Sequence, residues 1–271
     1  MSECTHNCET CGSSCSHKGV PKEPMNKHSD IKKVIAVVSG KGGVGKSMVT
    51  SMMAAAVRRK DKEVAVLDAD ITGPSIPRAF GIKSRAKGGD NGIFPIETDN
   101  GIKVMSLNLL LESESDPVAW RGPVIAGVVK QFWTEVIWED VDYMFVDMPP
   151  GTGDVALTVF QSLPIDGIII VTTPQDLVSM IVEKAAKLAT IMNIPILGIV
   201  ENLAYFQCGS CGEKHYIFGK GNVEELAKKY DIPVTAQLPI DPQIAKAEDE
   251  GKMEEVEGSW LDAVVEKVLS L

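Results

Sequence analysis

The chain offers its plainest chemistry in the stretch "SGKGGVGKSMVT". Gly40, Gly45, Lys46 and Ser47 satisfy the pattern G-x-x-x-x-G-K-[ST]. Glycine-rich backbone lets successive N–H groups converge on phosphate oxygens, and a helix start directly behind them adds partial positive charge. At this spacing Lys46 reaches the β- and γ-phosphates of a nucleotide, and the Ser47 hydroxyl ligates Mg²⁺. Gly42, Gly43, Val44 and Met48 complete the stretch facing the ligand. Lys41 is a second lysine inside the glycine run, and one phosphate loop has no use for it.

Two acidic segments suit the same chemistry. "VLDADITGPS" carries Asp68 and Asp70, and "YMFVDMPPGTGD" carries Asp147 behind an apolar run. A Mg²⁺-nucleotide site needs a carboxylate on the metal side and a group that orients the attacking water. Asp147 fits the first role, acting through water, and Asp70 the second. Asp68 and Asp154 serve equally well as caps of turns or helices.

The cysteines form two groups. Cys208 and Cys211 lie in "CGSC", followed by Gly212. Two thiolates fill half of a tetrahedral zinc site or of a [4Fe–4S] ligand set. A twofold dimer completes the count, because each protomer brings the same pair to the axis. Zinc on the same thiolates, His215 as an added ligand, and a redox dithiol remain open. At the N-terminus Cys4, Cys8, Cys11 and Cys15 form C-x₃-C-x₂-C-x₃-C, similar to ferredoxin-type cluster runs. A structural zinc site fits these four as well. His6 and His17 read as solvated surface residues.

These residues must be held by a scaffold, and the hydrophobic pattern names it. "KKVIAVVS", "EVAVLDAD", "IKVMSLN", "YMFVDMPPG", "GIIIVTTP", "IPILGIVEN" and "PVTAQLP" read as strands. Between them "SMVTSMMAAAVRRK", "VIAGVVKQFWTEVI", "DLVSMIVEKAAKLATIM" and "VEELAKKY" read as helices, and "PQIAKAEDEG" and "SWLDAVVEKVLSL" close the chain. Near-continuous apolar strands alternating with helices predict a doubly wound α/β fold, its mostly parallel sheet covered on both faces. Ligands of such sheets bind at the carboxyl ends of the strands, where every motif above falls. Residues 1–30 read as a cysteine-rich segment with a mobile linker containing Pro21 and Pro24. Residues 31–271 read as the nucleotide domain, with the CxxC segment inserted near 205–218.

Composition narrows the function classes. A net charge of −10 argues against a nucleic-acid surface. No apolar run reaches the length of a membrane span, and the polar N-terminus lacks a signal-peptide core. The C-terminal helix has one lysine against Asp262 and Glu266, unlike a membrane-surface helix, and is expected to pack on the core. A cytoplasmic location follows, with reduced cysteines acting as metal ligands.

"KGGVGKS" resembles the deviant Walker A loop of the MinD/ParA-type ATPases, whose signature lysine precedes the two glycines. Taken in order, "DADITGPSIPRAFG", "DMPPGTGDVALT", "TTPQDLVSMIVEKA" and "GIVENLAYFQCGSCGEKHYIFG" are similar to one branch, the Mrp/Nbp/ApbC-type iron–sulfur cluster carrier ATPases. The resemblance spans residues 32–251. It implies a homodimer with ATP between subunits and Lys41 crossing to the partner's phosphates. It also implies switch segments after Asp70 and Asp147, and Asn202 reading the adenine edge, with a turn cap as the alternative for Asn202. The CxxC pair would hold a bridging, labile [4Fe–4S] cluster for apo iron–sulfur proteins. Relatives with an N-terminal cluster have wider outer gaps than this chain. The alternatives are a positioning ATPase of the ParA/MinD sort and a nucleotide-gated electron-transfer protein like the nitrogenase iron protein.

Overall fold

The computed structural model describes residues 22–70, 75–89, 91–111, 122–151, 153–174 and 178–271. Cys4, Cys8, Cys11 and Cys15, and the residues directly after Asp70 expected to form a switch, lie outside that set.

In chain order the strands are β1 (Ser29–Ser39), β2 (Val64–Asp68), β3 (Lys87–Gly89), β4 (Gly92–Phe94), β5 (Ile96–Glu97) and β6 (Lys103–Ser106). They continue with β7 (Glu139–Asp147), β8 (Gly167–Thr172), β9 (Ile196–Gln207), β10 (Lys214–His215) and β11 (Thr235–Pro239). The helices are α1 (Lys46–Arg58), α2 (Ser75–Ala79), α3 (Gly122–Glu135), α4 (Asp154–Ser162), α5 (Val178–Met192), α6 (Val223–Lys229), α7 (Pro242–Glu250) and α8 (Asp262–Leu269). The main sheet runs β10-β9-β8-β1-β7-β2-β6-β5, with β11 paired to β9. Pairs among β1, β2, β6, β7, β8, β9 and β11 are parallel, while β5–β6 and β9–β10 are antiparallel.

Strand β1 shows why the sheet is covered on both sides. Its first half alternates, but Val34 through Ser39 are all buried. Ile35 and Val37 face the layer of α1, α2, α7 and α8. Ala36 and Val38 face the layer of α3, α4, α5 and α6. Helix α8 buries Val264, Val265 and Val268 in the first layer, as its charge pattern predicts. The polar stretch before β6 contains the short β3–β4 hairpin.

Residues 22–28 differ from the expected mobile linker. The Trp133 indole N–H donates to the Glu23 carbonyl at 3.0 Å, and the Glu23 N–H donates to the Ser162 carbonyl at 2.9 Å. Lys22 Nζ reaches the Phe160 carbonyl at 2.6 Å, and Lys130 pairs with Glu23 at 2.9 Å. The segment reads as a linker because it is polar. It is held because a buried indole N–H needs an acceptor and finds one in its backbone.

Candidate functional site: a phosphate loop and a thiol pair at one end of the sheet

β1 ends at Ser39 and α1 begins at Lys46, so the glycine-rich loop lies between a buried strand and a helix N-terminus. Gly45 is the residue before the helix, with φ +81°. A Cβ there would collide with the Asn202 amide, so both its conformation and its surroundings require glycine. The loop lines a cleft of about 290 Å³ with Ser39, Lys41, Gly42, Gly43, Lys46, Ser47 and Met48. Gly45, Asp70, Ser75, Pro150 and Glu248 also line it. The Gly151 N–H donates to the Ser39 carbonyl at 2.8 Å, which ties the turn after β7 to the loop.

Asp147 is the hub. It is wholly buried and takes three side-chain donors. Ser47 Oγ and Lys46 Nζ lie 2.6 and 2.7 Å from its Oδ2, and Thr50 Oγ1 lies 2.7 Å from its Oδ1. Lys46 Nζ is also 3.4 Å from Asp70, so one ammonium is shared by two carboxylates. A serine hydroxyl beside a carboxylate is the oxygen donor set that suits Mg²⁺. Ser47, hydrogen-bonded to Asp147 at 2.6 Å, could hold such an ion, with Asp147 behind it.

Asp68 takes the capping part. Its Oδ1 accepts from the Asp70 N–H at 3.1 Å and its Oδ2 from Ser106 Oγ at 2.8 Å. Burial first, and then the charge of Asp147 across the strand pair, push its carboxyl well above the usual range. It fixes the turn that presents Asp70.

Asn202 sits on β9 with its side chain against the loop. Its Nδ2 donates to the Val44 carbonyl at 2.9 Å, and its Oδ1 accepts from the Leu203 N–H at 2.9 Å. The amide thus organises a turn and holds the phosphate loop. Six residues on, Cys208 and Cys211 occupy the tip between β9 and β10. Cys208 is half-buried and Cys211 exposed. The Cys208 N–H donates to Glu213, and the Gly212 N–H returns to the Cys208 carbonyl, both at 2.9 Å. Backbone N–H groups of Cys211 and Ser210 aim at the Cys208 sulfur and lower its pKa, as a knuckle that favours thiolate does. Among the described residues, no group of three or more His, Cys, Asp and Glu side chains could hold a metal ion.

A phosphate-binding type of loop and a two-cysteine knuckle on one α/β sheet can be compared with known proteins. The model of the NUBPL iron-transfer P-loop NTPases, in the ParA group, matches residues 30–270. The iron–sulfur cluster carrier protein of Clostridium perfringens is 47% identical over 244 residues, covering 87% of this chain and 86% of that one. This chain belongs to the Mrp-type iron–sulfur cluster carrier family. The carrier protein of Methanocaldococcus jannaschii is 44% identical over 260 residues, covering 93% of this chain and 90% of its own. A solved nucleotide-binding protein of Archaeoglobus fulgidus, in complex with ADP and with cobalt, superposes at a TM-score of 0.78. It is 45% identical and covers 86% of this chain and 91% of that one. The cell division ATPase MinD of Pyrococcus furiosus, 20% identical with a TM-score of 0.59, shares the fold.

For a carrier-family site, the expected residues Lys41, Gly42, Gly43, Gly45, Lys46, Ser47, Met48 and Asp70 come together around one cleft, and Gly40 stands in the same loop, packed against Ile181. Val44, Asp147 and Asn202 join them through hydrogen bonds behind the loop. Thr50, Ser106, Ser75 and Glu248 were not singled out from the sequence. Thr50 had a signal, since it stands one helical turn after Lys46 on the same face. Glu248 had none, for it reaches the cleft from α7, far along the chain.

Proposed function

We propose that the protein is a homodimeric, ATP-dependent carrier of a [4Fe–4S] cluster for apo iron–sulfur proteins, working in the cytoplasm. The observation that carries this is the exposed Cys208–Cys211 knuckle at the same end of the sheet as the phosphate loop. It offers two thiolates and, among the described residues, no third ligand beside them. A cluster needs about four ligands, so two chains supply them. No helix among the described residues is long and apolar enough to cross a membrane. A relative from Schizosaccharomyces japonicus named as a probable cytosolic Fe–S cluster assembly factor supports the location. The four N-terminal cysteines would hold a second centre.

The chemistry of the loop is phosphoryl transfer from ATP to water, giving ADP and phosphate. Bound Mg²⁺ supplies charge neutralisation on the phosphate oxygens. The loop N–H groups and Lys46 bind the β- and γ-phosphates, drawing the ammonium from the carboxylates that share it. Asp70 orients the attacking water. Asp147 fixes Ser47 and Lys46, and is itself fixed by Thr50. Lys41 of one chain neutralises the phosphates held by the other, and a cation of that kind adds roughly 10³–10⁵ in rate in related systems. Hydrolysis then switches the dimer between states that hold and release the cluster.

The test is a mixing experiment. Lys46→Ala and Lys41→Ala each abolish hydrolysis. A mixture of the two variants recovers part of it, because the heterodimer contains one site with an intact loop facing an intact Lys41. No recovery in the mixture, with dimers confirmed by sedimentation, refutes the crossing lysine.

A further inference from the structure

Strand β9 contains both the residue that holds the phosphate loop and the approach to the thiol pair. We propose, given the nucleotide and cluster roles above, that β9 links the two sites within one chain. Asn202 senses the position of the loop at Val44 and Gly45, and a bulge at Leu203 passes that position to the Cys208–Cys211 hairpin.

The bulge is read from the register. On β11, Gln237 lies opposite Glu201 and Pro239 opposite Tyr205. Two steps along β11 therefore match four along β9. Leu203 lies inside the excess with φ +56°, a conformation that a leucine rarely adopts. Bulges re-aim side chains beside functional sites. Here the re-aimed residue is Asn202, and its amide has an end on each side of the joint. Nδ2 binds the loop carbonyl of Val44, and Oδ1 binds the N–H of Leu203 itself. Gly45 leaves no room between loop and amide, so the loop does not shift without moving Asn202.

Both sides of the joint are fixed. Before it, Glu201 is fully buried, with Oε2 accepting from Gln237 Nε2 at 2.7 Å and Oε1 occupying the space that a Cβ on Gly221 would fill. After it, the Ile240 N–H donates to the Tyr205 carbonyl at 2.7 Å. The Tyr205 ring meets Tyr216 edge-on at 6.3 Å and lies under Lys214 Nζ at 4.0 Å. Phe206 and Gln207 pair with His215 and Lys214. The hairpin therefore moves with Tyr205 as one body, and residues 202–204 are the place where the strand yields. Linkage makes the coupling reciprocal, so a metal on the thiols changes nucleotide affinity by the same factor.

The test uses the full chain without metal, with iodoacetamide as the thiol probe. Alkylation of the peptide containing Cys208 and Cys211 is followed by mass spectrometry, with and without saturating Mg²⁺ and a non-hydrolysable ATP analogue. In the unmodified protein the analogue changes the rate by about fivefold or more, the lower end of usual coupling between sites. Leu203→Gly accepts the left-handed backbone without holding it, so the variant binds the analogue normally and loses the rate difference. Asn202→Ala, with occupancy confirmed by bound nucleotide, loses it too. A thiol rate indifferent to the analogue in the unmodified protein overturns the link. So does a full response in Leu203→Gly, which would mean that a partner chain covers the thiols without any signal along β9. Iron and sulfide content tests the carrier role separately, and that role stands if only the link fails.

Discussion

Thr50→Val removes one hydroxyl from the interior and leaves the shape of the side chain. The Thr50 hydroxyl is fully buried and has one proton. Its nearest acceptor is Asp147 Oδ1 at 2.7 Å, with the Lys46 carbonyl at 2.9 Å. Valine leaves that carboxylate oxygen buried without its donor. A hydrogen bond to a charged group contributes about 1.5–3 kcal/mol. The expected loss is therefore about 2 kcal/mol. In a chain of this size 1 kcal/mol moves Tm by roughly 2–4 °C, so Thr50→Val should melt roughly 4–8 °C lower. Thr50→Ser keeps the donor and should recover most of the difference. Asp147 also loses the restraint that aligns Ser47 and Lys46, so ATP turnover slows in the valine variant and returns in the serine one. The assay is thermal unfolding by circular dichroism beside phosphate release. Thr50→Val melting with the unmodified protein and turning over ATP at the same rate would refute the role given to this buried network.

Gly45→Ala forces a left-handed alanine against the Asn202 amide, at a cost of roughly 1–3 kcal/mol, and should weaken nucleotide binding measured by calorimetry. Gly88→Ala, where the added carbon meets open space, is the control and should change neither. Burial holds the Glu201 carboxyl above its ordinary value of 4.5. The native state thus keeps a proton that the unfolded chain releases, so this group's contribution is full below 4.5 and is lost as pH rises through the folded value. Glu201→Gln should remove that loss. Urea unfolding at about pH 5 and about pH 8 should show a smaller fall with pH in the variant, and equal falls would refute the assignment.

The phosphate loop was legible in the sequence because its chemistry is local. Gly40, Gly45, Lys46 and Ser47 define one turn of backbone, and the strand before and helix after can be read from apolar periodicity. Asp147 was legible as the end of an apolar strand, and the thiol pair as a two-residue spacing. The sheet order was not, because strands adjacent in space such as β1 and β7 are far apart in the chain. Nor was the contact of Asn202 with the loop. Its place at a strand end could be read, but its amide meets the Val44 carbonyl across 158 residues of chain, a pairing that no single segment records. Glu248 enters the cleft from a helix with no motif of its own. Residues 22–28 misled because polarity suggested a linker, while backbone groups, two lysine side chains and a distant indole tie the segment to α3 and α4.

On the proposed function, two chains share one cluster through Cys208 and Cys211. Iron, sulfide and zinc content, measured on anaerobically purified protein beside Cys208→Ala, tests it most directly. The expected result is iron and sulfide in equal amounts, with about two iron atoms per chain lost in the variant, half of a four-iron cluster. Any iron held by Cys4, Cys8, Cys11 and Cys15 should remain. Zinc without sulfide, or an iron content unchanged by Cys208→Ala, would contradict the shared cluster.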